Sequence, residues 1–408
     1  MRRLAVLSLH TSPLTQPGSG DSGGMNVYIR ELVASLAQAG VPSDVYTRRW
    51  ADDLPEVVEV EPGFRVVHVP AGPLHLPKEA LGRVVDQFTQ GVKARLADDV
   101  DALHANYWLS GLAGHQLKHD LDLPLVSTFH TLARVKADAG CAGDPAERDR
   151  AEAEVVGCSD AILANSAAEA LQLEQLYGAD PARVEVVPPG VDHAFFSPGP
   201  RAGARAALRH LNLSDGPIMV FVGRIQPLKG LDMAVRTLAL LEDRRTQLVV
   251  VGGPSGPDGD CELDRVMQLI VELGLRDRVH FAHPQPHHLL SSYYRAADVV
   301  VVPSRTESFG LVALEAAACG TPVVAAAVGG LRTLVEHDRT GFLVDGCYPA
   351  AYAAQVDAIL GHPELAASLS AAAATRARDY TWSTAAARLR RIYTDITARE
   401  PVDCPVGT

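Results

Sequence analysis

Short apolar runs alternate with longer stretches of helical periodicity along the whole chain. In the first half LAVLSL (4–9), DVYT (44–47), RVVHV (65–69), ALHA (102–105), LVSTF (125–129), AILAN (161–165) and VEVV (184–187) read as buried strands. Between them, Met25, Tyr28, Ile29, Leu32, Val33 and Leu36 recur at three- and four-residue spacing and give a helix one apolar face. A second series follows: IMVFVG (218–223), QLVVVGG (247–253), RVHFA (278–282), DVVVVP (298–303), PVVAA (322–326) and GFLV (341–344). Strand–helix alternation of this kind predicts parallel sheets covered by helices on both faces. The text "PPGVDHAFFSPGPRAGAR" (188–205) breaks the periodicity and reads as a linker. The expected architecture is two doubly wound α/β domains, 1–190 and 191–381, with a helical end section and a frayed tail at 401–408. The natural ligand site of such a pair is the crevice between the domains.

Composition narrows this picture. A chain of 408 residues exceeds what one core usually supports, so two domains are expected. Hydrophobic content of 47% with 21% charged residues is that of a soluble protein, and no run reaches the ~20 apolar residues of a membrane span. The apolar run after the basic start MRR is too short for a secretory leader, so a cytoplasmic protein is expected. A net charge of −12 argues against nucleic acid as a partner. The six cysteines (141, 158, 261, 319, 347, 404) form no C-x-x-C pair and read as reduced thiols, not as a disulfide or zinc framework.

Several segments carry candidate chemistry. Gly18, Gly20 and Gly23 formally spell the G-x-G-x-x-G of a dinucleotide site. Eight residues separate them from the first strand, however, whereas a true fingerprint turns directly off its strand. Gly23 and Gly24, at the entry to the first helix, are better placed to let backbone approach a phosphate, with Gly18 and Gly20 in a mobile loop. In "FVGRIQPLKG" Arg224 and Lys229 follow a strand and suit a diphosphate, although a solvated basic loop is the competing reading. In "PSRTESFGLVALEAAACGTPVVA" Glu307 precedes a helix start and Glu315 lies two turns inside it. Such a helix can offer amides to phosphate and carboxylates to sugar hydroxyls. "GGPSGP" (252–257) is either a pocket wall or a turn. His130 in "STFHTLARVK" and Tyr107 in "HANYWLSG" fall just past strands; Trp108 reads as packing. The four histidines of "HFAHPQPHHLL" tempt a zinc reading, but prolines divide them and no acid or cysteine completes the set.

The order of these motifs resembles the retaining glycosyltransferases of the GT-B fold, family 4 type. "GRIQPLKG" followed by "ESFGLVALEA" carries the donor-site signature, and the resemblance runs over nearly the whole chain. "HTSPLTQPGSGDSGGMNVYI", "HANYWLSG", "TFHTLARVK" and "VVGGPSGP" are most similar to its mycothiol branch. That branch moves N-acetylglucosamine from UDP to 1D-myo-inositol 3-phosphate. The resemblance implies that the C-terminal helix, 382–400, packs back on the first domain. It implies that Arg224 and Lys229 grip the UDP diphosphate beside the Gly23 and Gly24 amides. Glu315 would hold the ribose, Glu307 the donor sugar, and Gln285 the uracil through its backbone. Ser308, Phe309, Gly310 and Leu311 would complete the donor site, and His130 would orient the sugar. Lys78, Tyr107, Thr131 and Arg148 match positions that hold an acceptor phosphate, with His10, Asp21 and Asn26 near the acceptor ring. A structural magnesium near Tyr294, Arg295, Ala297 and Thr321 is also implied, with no cofactor needed for the chemistry. A homodimer is compatible with the resemblance. Segments 50–60 and 138–150 depart from the mycothiol pattern, so another sugar, sugar-phosphate or natural-product acceptor stays open. So do a nicotinamide oxidoreductase, a sugar-nucleotide epimerase and a non-catalytic UDP sensor.

Overall fold

A computed structural model describes residues 1–18, 20–140, 146–256 and 258–404. Cys141 and much of the divergent segment around it lie outside the described residues. The chain divides into two compact units. One comprises Met1–Thr15, Tyr28–Pro189 and Trp382–Thr408, the other Gln16–Val27 and Gly190–Thr381. The segment 16–27, which the sequence places in the first domain, thus clusters with the second unit.

The first unit is built on β1 (Arg3–Leu7), β2 (Ser43–Arg48), β3 (Val57–Glu61), β4 (Phe64–Val69), β5 (Val100–Asn106), β6 (Leu125–Thr128), β7 (Ala161–Ala164) and β8 (Val184–Val186). They form one sheet in the order β3-β4-β2-β1-β5-β6-β7-β8. Every pairing is parallel except β3 with β4. β3 is a strand the apolar-run reading overlooks: VVEVE alternates too weakly to stand out, and its residues are mostly half-exposed at the sheet edge.

The second sheet holds β9 (Ile218–Val222), β10 (Gln247–Val251), β11 (Val279–Ala282), β12 (Val299–Val302), β13 (Val323–Ala326) and β14 (Gly341–Val344), in the order β11-β10-β9-β12-β13-β14. All its pairings are parallel. Central strands such as VVVV of β12 are buried on both faces, which explains their continuous apolar runs. In each sheet the strand order reverses direction once, at β1/β5 in the first and at β9/β12 in the second. An open α/β sheet presents its ligand site at the carboxyl ends of those strands.

The terminal helix Trp382–Thr397 belongs to the first unit. Trp382 meets Tyr28 edge-on at 5.8 Å between ring centroids, and Tyr393 Oη lies 2.7 Å from His104 Nδ1 on β5. The tail beyond it is not frayed through residue 404, because the Val402 amide donates to the Asp160 carboxylate. That return overturns the reading of all six cysteines as free thiols: Cys158 and Cys404 are joined by a disulfide. They are 246 residues apart in sequence, so their spacing carries no sign of pairing. Cys261, Cys319 and Cys347 are free. Among the described residues no helix is long and apolar enough to cross a membrane.

Candidate active site

The second unit gathers its site residues where β9 and β12 end. Arg224 follows β9, and its guanidinium lies over Gly23; a Cβ on that glycine would stand 3.1 Å from Arg224 Nε. The residue must be small for the arginine to lie there. Arg224 Nη1 also reaches Ser255 Oγ at 3.4 Å, and Ser255 in turn donates to the Gly20 carbonyl. Gln16 Nε2 donates to the Pro284 carbonyl at 2.8 Å. The glycine loop is therefore packed on the turns after β10 and β11. Asn26, fully buried, accepts the Gly23 amide on Oδ1 at 2.9 Å. Of the two glycine amides expected to approach a phosphate, that of Gly23 is spent on this turn. Gly24 opens the helix Gly24–Gln38, where amides lack partners within the helix. Asp21 lies in this loop as well, grouped with the donor residues.

Lys229 Nζ lies 2.7 Å from Glu307 Oε2, so the cation of one motif neutralises the acid of the other. Ser308 and Phe309 form the turn before Gly310, which caps the helix Leu311–Ala318 at φ 106°. Phe309 is core, 4% exposed. Two residues that sequence reasoning missed hold this turn in place. A Cβ on Gly329 would stand 1.9 Å from the Glu307 carbonyl oxygen, and the Gly330 amide donates to that same oxygen at 3.0 Å. Their signal was the GG doublet after PVVAA. Glu315 is buried at 4% exposure. Its Oε1 lies 2.7 Å from His287 Nε2, and its Oε2 accepts the Tyr294 hydroxyl at 2.7 Å. Burial, reinforced by this carboxylate, holds the Tyr294 phenol far above its ordinary range. From the histidine-rich segment it is the His287 ring that meets Glu315. Gln285 is half-buried and folds its amide onto the His283 carbonyl at 2.8 Å. At the suggested magnesium position, Thr321 Oγ1 donates to the Tyr294 carbonyl at 2.6 Å, and the amide of Ala297 donates there at 3.2 Å. The Arg295 guanidinium is bound to the carbonyls of Ser197 and Phe195.

The first unit gathers a different set at the ends of β1, β5 and β6. Tyr107 follows β5 with φ 76° and ψ 155°, a region that side chains other than glycine's seldom occupy, at a cost of about 1–3 kcal/mol. Its ring is the hub of the cluster. His10 lies 4.4 Å from it, Lys78 Nζ 5.2 Å and Arg148 Cζ 4.9 Å. Arg148 is 1% exposed, and its Nε holds Glu152 Oε1 at 2.7 Å. Its Nη2 donates to the Thr131 carbonyl at 2.8 Å and lies 3.0 Å from Thr131 Oγ1. Lys78, Tyr107, Thr131 and Arg148 are brought together, although they span four separate elements. The Arg148 charge is met by Glu152, and the Lys78 ammonium stands over the same ring.

His130, after β6, also has a left-handed backbone, φ 62°. Its Nε2 lies 2.8 Å from Asn106 Oδ1, and its ring meets Tyr28 at 4.8 Å. Burial, helped by neighbouring His104, pushes its pKa down to about 3. It is a neutral imidazole at any physiological pH, unsuited to carrying a proton but suited to hydrogen bonding.

Known proteins divide along the same line. Residues 22–195 match the family described as Glycosyltransferase Family 4, and residues 207–376 match Glycosyl transferases group 1. The D-inositol 3-phosphate glycosyltransferase of Thermobispora bispora is 46% identical over 422 residues, covering 100% of this chain and 98% of that protein. The chain belongs to the family 4 glycosyltransferases. The enzyme of the same name from Thermomonospora curvata is 48% identical, covering 96% of this chain and 95% of its own. Among solved structures, sucrose-phosphate synthase from Thermosynechococcus elongatus superposes with a TM-score of 0.90 at 35% identity, over 98% of this chain and 100% of that one. This glycosyltransferase therefore has the GT-B fold, and glycosyl transfer is its activity.

Proposed function

We propose that this glycosyltransferase moves N-acetylglucosamine from UDP-GlcNAc to 1D-myo-inositol 3-phosphate with retention of configuration. The observation that carries the reading is the cluster of Lys78, Arg148 and Thr131 around Tyr107, in which the Lys78 ammonium and the Arg148 guanidinium, held in place by Glu152, would meet a phosphate on the acceptor. Relatives named for that acceptor support it. The diphosphate of the donor goes to Arg224, Lys229 and the Gly24 amide. The ribose shares the Glu315 oxygens with His287 and Tyr294, and the uracil meets the backbone at Gln285. Glu307 takes hydroxyls of the donor sugar, beside the turn Ser308–Leu311. The proposed substrates are those of a cytoplasmic enzyme.

In the proposed step the acceptor hydroxyl oxygen bonds to the anomeric carbon as the bond to the β-phosphate oxygen breaks. The hydroxyl proton passes to that departing oxygen on the same face. Arg224 and Lys229 stabilise the charge that builds there. His130, neutral, holds the sugar by hydrogen bonding. Thr321 Oγ1 and the Tyr294 carbonyl are hard oxygens of the kind magnesium accepts. With neighbouring carbonyls of Arg295 and Ala297 they would hold a structural ion; no step uses it.

The test is UDP release across UDP- and GDP-sugars against inositol 3-phosphate, inositol and hexose phosphates, with the product anomer assigned by NMR. Turnover confined to UDP-GlcNAc with inositol 3-phosphate is expected. Preference for a hexose phosphate would replace the acceptor by one of the kind the name sucrose-phosphate synthase points to. Conversion of the UDP-sugar without acceptor would indicate an epimerase and overturn the reading.

A further inference from the structure

We propose that His115, His119, Cys158 and Cys404 form a zinc site when the two cysteines are in the dithiol state. None of the four belongs to the donor or acceptor residues, so the proposal stands apart from the choice of substrate.

The four ligand atoms lie within 4.8 Å of one another. His115 and His119 are four apart on the helix Trp108–Leu121 and therefore share a face. Their Nε2 atoms are 3.0 Å apart, and Cys404 Sγ lies 3.9 Å from the first and 3.3 Å from the second. Cys158 closes the helix Ala146–Cys158 and supplies the fourth atom. Zinc bonds of about 2.3 Å to sulfur and 2.0–2.1 Å to nitrogen put tetrahedral ligands roughly 3.3–3.8 Å apart. The three separations, 3.0, 3.3 and 3.9 Å, lie within a few tenths of an ångström of that range, and the two sulfurs must separate from bonding distance to reach it. Two thiolates neutralise the dication, two imidazoles complete the set, and His-x-x-x-His is a common half of such sites.

A disulfide explains two of these side chains; an ion explains all four and a fifth. Glu154 Oε1 lies 2.8 Å from His115 Nδ1. A proton held on Nδ1 by that carboxylate leaves the Nε2 lone pair facing the cluster, the arrangement that orients metal-bound histidines. His115, Cys158 and Cys404 are 4%, 3% and 8% exposed, and His119 is the open side of the set. The tail does not need the sulfur–sulfur bond to be there: Asp160 takes the Val402 amide on one oxygen and the Leu125 amide and Lys118 on the other. Opening the cystine consumes two electrons and two protons from two equivalents of a small thiol, which leave as its disulfide. Zinc then displaces the two cysteine protons. The ion would clamp the tail to the helix that begins directly after Tyr107.

The experiment takes the full chain, reduced with a phosphine and freed of metal. Zinc content is measured by elemental mass spectrometry, and Co2+ is titrated with the visible and near-ultraviolet spectrum recorded. One zinc per chain is expected, with tetrahedral cobalt bands and thiolate-to-cobalt charge transfer. Cys404→Ser and His119→Ala should abolish stoichiometric binding, Cys319→Ser should not, and Glu154→Gln should weaken affinity by about 10–100-fold. Wild-type reduced protein that keeps its circular dichroism yet shows no charge-transfer band overturns the proposal without any variant. So does reduced protein that unfolds and is not restored by zinc, or a cobalt spectrum unchanged by Cys404→Ser.

Discussion

Lys229 Nζ and Glu307 Oε2 stand 2.7 Å apart, joining a loop after β9 to a turn after β12. Their side chains keep 28% and 17% exposure, so the pair adds no more than about 1 kcal/mol to stability. Its value lies in aiming a cation at a leaving diphosphate. Lys229→Ala should therefore unfold within a few degrees of the wild type while kcat falls about 10²–10³-fold, the usual effect of losing one preorganised donor. Near-normal turnover in a steady-state UDP-release assay would remove Lys229 from the machinery.

The acceptor cluster separates fold from function differently. Arg148 and Glu152 are 1% and 0% exposed, and Glu152 also receives the Ala133 amide and the Tyr177 hydroxyl. Arg148→Ala leaves that carboxylate buried and unpaired, which costs about 3–5 kcal/mol. Lower yield and a large drop in melting temperature are expected from it. Lys78 opens the short helix Lys78–Val84, half-buried, with its ammonium 5.2 Å from the Tyr107 ring centroid. Lys78→Ala should fold normally and raise KM for a phosphate-bearing acceptor at least about tenfold, leaving the donor KM unchanged. Equal shifts in both constants would mean general damage.

How much of this was legible beforehand follows from where each residue's neighbours lie in the sequence. Thirteen of the strands announce themselves as apolar runs, the central ones because parallel strands are buried on both faces; β3 does not, because it pairs antiparallel at the sheet edge with two glutamates among five half-exposed or exposed residues. Arg224 and Lys229 were legible because they share one loop, as Glu307 and Glu315 share one turn and helix. The partnership of Glu315 with His287, 28 residues upstream, was not, because a histidine-rich run gives no hint of which ring turns inward. Nor was the bond between Cys158 and Cys404, or the docking of the loop 16–27 on Ser255 and Pro284, since both depend on long-range return of the chain.

Gly329 offers a test of the turn that presents Glu307. It has φ 45°, and an added Cβ would collide with the Glu307 carbonyl. Left-handed backbone alone costs alanine about 1–2 kcal/mol, and relief of the collision moves Glu307. Gly329→Ala should lower both stability and donor affinity, the latter about tenfold or more by calorimetry with UDP. Unchanged affinity in a merely less stable protein would show that the turn tolerates displacement.

Three buried groups of the first unit make its stability depend on acid. Burial pushes His104 and His130 down to about 3 from 6.5, and pushes Glu169 up to about 7 from 4.5. As pH falls below 6.5 the unfolded chain gains two histidine protons that the native state refuses, so stability is lost. Glu169 acts in the opposite sense: between about pH 7 and 4.5 the native state holds a proton that the unfolded chain has released. From these three groups the net difference is one proton, a contribution of about 1.4 kcal/mol per pH unit lost on acidification over that window. Below pH 4.5 Glu169 no longer opposes, and the loss steepens to about twice that. Glu169→Gln removes the opposing group and should steepen the slope by about 1.4 kcal/mol per pH unit between pH 6.5 and 4.5, seen in urea unfolding. A slope that Glu169→Gln leaves unaltered would mean the native carboxyl is ionised, with its charge held by Asn165, whose amide and side chain both reach it.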